Sequence, residues 1–489
     1  MHSNYVSFAI YFYIIADNCL KIQLYCKFMV VYKTNVHRTE YKFLSYHILY
    51  WIVRRQETFP LLFGGRQDFP LPVANNRGTH EHNPCKTYTG GFLMQSFEFK
   101  MPTEIIFGRH AEDRVAEKLR AYGASRVYIV YGGGSVVRSG LLSRIECQLT
   151  SGGLAFQVLG GVQPNPRVAL VREGIREALA FKANFILAVG GGSVIDSAKA
   201  IAHGVANPGT DIWDFWSGRA KLEKTMPVGS VLTLAAAGSE TSDSAVLTNE
   251  DTMRKVGLNT PLNRPVLAFM NPELTFTVPE KQLVCGVSDI IMHTLERYFT
   301  KVKEANVFTD RVAEDLIKTV MDASKAAVKD REDYDAMSEI MWCGSVSHSN
   351  FTELGRGKDF SVHKLGHELS ARFDATHGAS LTSLWGSWAQ YVYQDDTARF
   401  AQFAERIFGI EASAGTEEER ARQGIEKMVA YFKSLGMPVS LPELLGTKLN
   451  DSELYSLADL ATAGDTKKLG TFHPLNRKDV LAIYKLANR

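Results

Sequence analysis

Two short apolar runs in this chain end in the same four residues. RVYIVY at 126–131 runs into Gly132, Gly133, Gly134 and Ser135, and FILAV at 185–189 runs into Gly190, Gly191, Gly192 and Ser193. Apolar runs of this length, bounded by glycine, read as buried strands. Between them AFQVL (155–159) reads as a third strand and VALVREGIREALAF (168–181) as an amphipathic helix, with further strands expected at 228–234 and 266–270. Strands alternating with helices predict a doubly wound α/β layer with a mostly parallel sheet. Ligands of such sheets bind at the carboxyl ends of the strands, where both triplets fall.

The chemistry of a strand–GGGS–helix junction is direct. Glycine lets the backbone approach a phosphate closely because no Cβ intervenes. The helix that follows offers unpaired N–H groups and a positive dipole end. Ser193 would cap that helix or donate to a phosphate, with Asp196 and Lys199 three and six residues further along. One triplet is most simply a tight turn; two at strand ends of one sheet point to a nucleotide site. Neither forms GxGxxG or GxxxxGK[ST], so the standard dinucleotide fingerprint and the P-loop are both missing.

Beyond residue 278 strand patterns give way to long helical ones at 280–300, 307–327 and 334–348. Thr277 and Glu280, with Pro279 between them, have the form of a capping box at the start of the first helix. The chain is therefore expected to divide into a dinucleotide-binding domain (94–278) and an all-helical metal-binding domain (279–489). Eight histidines follow Met94, and four of them fall into two patches with Asp289. Asp289 and His293 are i,i+4 and share a helix face, as do His363 and His367, while His377 lies further on beside Gly378. Any one of these histidines is most simply a satisfied polar group in a helical core. As a set, a carboxylate and several imidazoles suit a divalent zinc or iron ion with one position open to a substrate oxygen. Spacing does not say which of His363 and His367 would bind it.

Composition narrows the alternatives. Of 489 residues 45% are hydrophobic and 22% charged, which excludes a wholly disordered chain, a collagen-like fibre and a small disulfide scaffold. Lys and Arg (55) nearly balance Asp and Glu (53), so there is no bulk electrostatic case for nucleic acid. No apolar run reaches the roughly 20 residues of a membrane-spanning helix. The first 93 residues differ from the rest, with ten Lys/Arg against five Asp/Glu. This leader has an apolar stretch at 5–15 that makes a poorly formed secretory signal, and a Pro-, Gly- and Asn-rich part at 59–91 that reads as loop or disorder. It is expected to be an extension or a translated upstream region, with Met94 as the functional start; the other reading is a targeting or membrane-touching segment. Cys19, Cys26 and Cys85 lie in the leader, and Cys147, Cys285 and Cys343 show no CxxC spacing. Free thiols in a reducing compartment are expected.

A nucleotide layer joined to an Asp/His metal set resembles the iron-containing (group III) alcohol dehydrogenase family. The resemblance runs from Met94 to the C-terminus. It is carried by GGVQPNP (160–166), GGGSVIDSAK (190–199), AAAGSE (235–240), GVSDIIMHTLERY (286–298) and HKLGHELSARFDATHG (363–378). YGGGS at the first strand end is similar to the branch of NADPH-dependent aldehyde reductases, also called butanol dehydrogenases. The resemblance implies a Rossmann-like layer followed by an all-α domain, in the dehydroquinate synthase-like architecture. It implies metal ligands Asp289, His293, His363 and His377, because the family's last two ligands are also fourteen residues apart. His367 then matches a histidine near the nicotinamide, a candidate for relaying the proton. Gly191, Gly192, Ser193 and Asp196 would sit by the pyrophosphate and nicotinamide ribose, and Asn165, Thr233 and Lys255 align with further cofactor contacts.

Two departures stand out. Ala237 replaces a hydroxyl residue usual in the family's TGSE, which removes one cofactor hydrogen bond, and Ser244 stands where some members have asparagine. Both read as tuning. NAD-preferring relatives often carry an acidic residue near the first turn, whereas this chain has Gly132, Gly133, Gly134 and Ser135 with Arg138 close by, which favours NADP(H). The implied protein is a cytoplasmic homodimer that reduces short-chain aldehydes to alcohols. Its rivals are a glycerol or polyol dehydrogenase on the same fold and a non-catalytic nucleotide-binding scaffold.

Overall fold

The computed structural model describes residues 94–489 and, in the leader, only the backbone of three strands. Those strands, β1 (Ser7–Asp17), β2 (Lys21–Val31) and β3 (Tyr41–Ser45), form an antiparallel sheet of their own in the order β1–β2–β3. The loop or disorder expected at 59–91 lies outside the described residues.

The main sheet has six strands: β4 (Glu104–Phe107), β5 (Arg126–Tyr131), β6 (Ala155–Leu159), β7 (Phe185–Gly190), β8 (Val228–Leu232) and β11 (Leu267–Met270), in the order β4–β11–β8–β7–β5–β6. Every neighbouring pair in it is parallel. The alternation of its side chains explains why these strands read as continuous apolar runs. Val127, Ile129, Phe185, Leu187, Val231 and Phe269 fill a core on one face. Tyr128, Val130, Ile186, Ala188, Leu232 and Met270 fill the core on the other. A sheet covered on both faces has no polar side to show.

The helices that cover it are α1 (Val115–Ala121), α2 (Ser135–Arg138), α3 (Leu141–Ser151), α4 (Val168–Phe181), α5 (Gly192–Ala206) and α6 (Ile212–Trp216). From β5 the chain crosses to the edge strand β6, and from β7 it crosses the other way to β8. Adjacent strands whose exits diverge leave a crevice at their carboxyl ends. The Gly132–Gly134 and Gly190–Gly192 turns both lie there.

Two expectations need correcting in this half. The run at 228–234 is strand only to Leu232. Ser193 does not cap α5: the helix begins one residue before it, with Gly191 at the N-cap and no side-chain cap. The antiparallel hairpin of β9 (Ser244–Asn249) and β10 (Arg254–Asn259) was not anticipated. Its strands are short and rich in polar residues, so they lack an apolar period.

From Glu280 onward the described chain is helical: α7 (Glu280–Tyr298), α8 (Val307–Lys329), α9 (Tyr334–His348), α10 (Ser361–Phe373), α11 (His377–Val392), α12 (Thr397–Phe408), α13 (Glu417–Ser434), α14 (Leu441–Leu445), α15 (Asp451–Ala461) and α16 (Arg477–Ala487). The capping box expected at Thr277 does not form. Pro279 occupies the N-cap of α7 with extended backbone, which leaves Thr277 two residues outside the helix. Every residue of α7 from Leu283 to Tyr298 is buried, and the helix packs against α8, α9 and α11. A helix buried all round is central to its bundle, so its polar residues, Asp289, His293, Glu296 and Arg297, must find partners inside the protein. Among the described residues no helix is long and apolar enough to cross a membrane, and Cys147, Cys285 and Cys343 are free thiols.

Candidate active site

The residues expected to hold a metal come from three helices. Asp289 and His293 lie one turn apart on α7, His363 is in the first turn of α10, and His377 opens α11. Around one atom, Asp289 Oδ1, stand His293 Nε2 at 3.7 Å, His363 Nε2 at 3.5 Å and His377 Nε2 at 3.7 Å. Donors bound tetrahedrally to a zinc-like ion at 2.0–2.1 Å lie about 3.4 Å apart. Asp289, His293 and His363 are buried, and their donor atoms lie within 4.8 Å of one another. Asp289 Oδ1 and His363 Nε2 are sealed from solvent with no hydrogen-bond partner. An unpaired buried polar atom costs about 1–3 kcal/mol; a shared cation removes that cost. The donor set fits a divalent metal.

Protonation agrees with this fit. Burial pushes the imidazoles of His293 and His377 well below the ordinary range, and neighbouring histidines add to the effect. The neutral ring is the form that binds metal. At His363 burial also disfavours the charged form, but the carboxylates of Glu296 and Asp289 outweigh it and raise the ring to about 9. An incoming ion would have to displace a proton there.

Two residues beside this set were not singled out from sequence. Glu296 is fully buried on α7, and its Oε2 accepts a hydrogen bond from His363 Nδ1. The signal was present in HTLERY, where Glu296 falls seven residues after Asp289 and so on the same helix face. His348 is the last residue of α9, and its ring centroid lies 4.0 Å from that of His293. His348 Nδ1 bonds the carbonyl oxygen of Ala237 at 2.6 Å. A carbonyl only accepts, so Nδ1 carries the proton. Nothing about a lone histidine in a helix foretells that role.

The turn that His348 holds leads to the crevice. Gly238 sits at φ 62°, and a Cβ there would lie 2.4 Å from the Gly344 carbonyl oxygen, so α9 grips the turn directly. A Cβ on Gly192 would lie 3.3 Å from the Ala237 Cβ. Ala237 therefore faces the first residue of α5, where the helix presents its N–H groups. One side chain, His348, separates this turn from a candidate metal ligand.

The other expected cofactor residues divide into two groups. Gly132, Gly133, Gly134, Ser135 and Arg138 follow β5, and the Arg138 guanidinium passes 3.3 Å from where a Gly134 Cβ would stand. Thr233 donates its N–H to the Gly190 carbonyl at 3.1 Å, at the mouth of the same crevice. The rest are engaged with protein. Asp196 accepts from Ser239 Oγ at 2.5 Å and from the Val246 N–H at 2.9 Å. Lys255 donates to Asn165 Oδ1 at 2.8 Å, and Asn165 Nδ2 donates to Asp374 at 2.9 Å. Burial lowers Lys255 to about 8 against the pull of Asp289 and Asp196. His367 lies one turn beyond His363, its ring 5.6 Å from that of His377. Burial and the Lys255 ammonium hold it well below the usual range, so it is neutral at physiological pH.

Known proteins resemble this chain over both of its halves. The family model described as iron-containing alcohol dehydrogenase matches residues 102–272, and the model for the C-terminal part of the same family matches residues 283–488. NADH-dependent butanol dehydrogenase A of Clostridium acetobutylicum is 38% identical over 393 residues, 80% of this chain and 99% of that one. The NADPH-dependent aldehyde reductase YqhD of Escherichia coli is 31% identical over 396 residues, 81% of this chain and 100% of that one. The crystal structure of NADH-dependent butanol dehydrogenase A from Thermotoga maritima superposes with a TM-score of 0.77 at 34% identity, covering 81% of this chain and 99% of that one.

Proposed function

The chain belongs to the iron-containing alcohol dehydrogenase family, and from that premise we propose that it interconverts short-chain aldehydes and alcohols using NADP(H). The observation that carries the reading is the convergence of three imidazoles on Asp289 Oδ1 within 3.7 Å. We assign Asp289, His293, His363 and His377 as the ligands of one divalent ion, iron or zinc, since such donors accept both. Residues 94–278 act as the cofactor layer and 279–489 as the metal-bearing domain.

When bound, the nicotinamide supplies the hydride and the ion supplies Lewis acidity toward the substrate oxygen. The protein supplies position and protons. The first turn of α5, with Gly192 and Ser193, receives the pyrophosphate on its N–H groups. Asp196 fixes the adjoining turn through Ser239 and the Val246 N–H, and so shapes the ribose pocket. Asn165, Thr233 and Lys255 line the approach. His367, neutral and near His377, relays the proton that the product alcohol needs.

Cofactor choice rests on the first turn. Ser135 and Arg138 offer a hydroxyl and a guanidinium to a 2′-phosphate, and no carboxylate stands at 132–138 to repel it. The names of the relatives divide on this point, four reading NADH-dependent, one NADPH-dependent and one NADP-dependent. Following NADPH and NADH oxidation with butanal, with and without a chelator, tests the reading. Expected is NADPH preference and chelator-sensitive turnover. Equal kcat/KM for the two cofactors overturns the NADP(H) assignment, and no consumption with any short aldehyde overturns the activity. The assembly is proposed to be a cytoplasmic homodimer; its mass in solution checks the stoichiometry.

A further inference from the structure

Glu296 touches none of the reacting groups, yet three hydrogen bonds tie its side chain to the start of α10. Its side chain is fully buried on α7. Oε1 accepts the N–H of Val362 at 2.7 Å and that of His363 at 3.4 Å. Oε2 accepts from His363 Nδ1. Phe360 at the N-cap of α10 makes no side-chain cap, and the neighbouring Asp359 reaches only the Ser361 N–H, at 3.1 Å. Glu296 thus caps α10 from a neighbouring helix and grips the imidazole that α10 delivers.

We propose that Glu296 is a positioning residue that fixes which nitrogen of His363 faces the metal and sets the charge of the site; the proposal rests on the reading of His363 as a ligand. A carboxylate accepts and never donates. Facing it, Nδ1 must carry the hydrogen, so Nε2, 3.5 Å from Asp289 Oδ1, is the nitrogen left for the metal once its own proton is displaced. Outer carboxylates of this kind orient metal-binding histidines and raise their basicity. Glu296 also adds a second negative charge. A doubly charged cation held by Asp289 alone would leave the site near +1; with Glu296 it is near neutral.

Glu296→Gln is the discriminating substitution because it keeps shape and removes one acceptor. If the amide oxygen keeps the Val362 contact, its NH2 faces His363 Nδ1. Donor then meets donor, and relief requires the ring hydrogen to move to Nε2, where it blocks the metal. If the amide turns over, NH2 meets the two backbone N–H groups instead. Both arrangements weaken binding.

The experiment titrates Co2+ or Zn2+ into the full-length metal-stripped protein against a competing chelator. It also records the imidazole N–H signals of zinc-loaded protein labelled with 15N-histidine. Expected is one equivalent bound by the unsubstituted protein, with a strongly downfield Nδ1–H signal, and a roughly 10- to 100-fold loss of affinity in Glu296→Gln with that signal gone. Glu296→Asp, which keeps an acceptor-only head, should recover part of the affinity and the signal. Equal metal affinity in Glu296→Gln, or an unchanged Nδ1–H signal, overturns the proposal. An unsubstituted protein that binds no metal overturns the ligand assignment instead. Melting of the metal-stripped variants checks the fold: if Glu296→Asp folds and still lacks the signal, Glu296 is only a helix cap and the proposal fails.

Discussion

The approach of α11 to α7 leaves no room for a methyl group, and that makes Gly378→Ala a sharp test of the metal site. Gly378 follows His377 and lies against the backbone of Cys285, one turn before Asp289. A Cβ on Gly378 would fall 2.2 Å from the Cys285 carbonyl oxygen and 2.9 Å from its carbon. Ordinary contact begins near 3.4 Å, so the start of α11 must retreat by about 1.2 Å. His377 Nε2 is now 3.7 Å from Asp289 Oδ1; a retreat directed away from α7 would carry it to as much as about 4.9 Å. Two donors with bonds of about 2.1 Å cannot share one ion beyond about 4.2 Å. One ligand is therefore lost from the set, while the overpacking itself costs about 1–3 kcal/mol. The assay is metal content after dialysis against a weak chelator, read beside thermal unfolding. Gly209→Ala, with nothing within 4 Å of its new methyl, serves as the control. A Gly378→Ala protein that retains one metal per chain with unchanged affinity would refute the reasoning.

Three further outcomes follow from the same geometry. His348→Leu removes the donor to the Ala237 carbonyl and should raise the KM for NADPH several-fold while metal content stays constant; a fall in bound metal with unchanged KM would contradict the role given to His348. His203, buried between Thr225 and Asn263, is lowered by burial to about 4. The unfolded chain takes up this proton first, so stability is present above about pH 6.5 and falls as pH drops toward 4, by about 3 kcal/mol at most. Denaturant titrations of the protein and of His203→Leu should differ in slope over that window. Removing the ion with a strong chelator should abolish turnover and lower the Tm together, and an ion at a thousand times its Kd should restore about 4 kcal/mol; an unchanged Tm would mean that the four donors do not share it.

What could be read before the structure follows from how local each signal is. β5 and β6 fall where the apolar runs predicted and α4 where the amphipathic period did; in β5, buried from Val127 to Val130, no polar residue interrupts the run. The β9–β10 hairpin escaped notice because serine, asparagine, arginine and lysine dilute its apolar period. The i,i+4 pair on α7 was legible since one helix fixes both residues. Choosing His363 over His367 was not, because α10 presents both on one face and only Asp289, on another helix, separates them. Glu296 shares a helix face with Asp289 and so was legible in part, but its partner His363, like those of His348 and Asp374, lies far along the chain. The four-residue helix α2 shows the opposite limit: its glycine turn was obvious, while the pose of Arg138 over Gly134 was not.

The turn from Gly132 to Arg138 rides on the end of β5, and within it only the Val136 side chain reaches the core. Apart from Gly134, whose φ of 101° strains any side chain, replacements at such surface positions usually shift stability by no more than about 0.5 kcal/mol. If this turn holds the adenosine ribose, as proposed above, selection can rewrite that pocket at little thermodynamic penalty while the interior that aligns the reaction stays untouched. Enzymes of one architecture can drift between the two pools of reducing equivalents through this turn alone, and a chain engineered there should exchange one pool for the other without needing to be restabilised elsewhere.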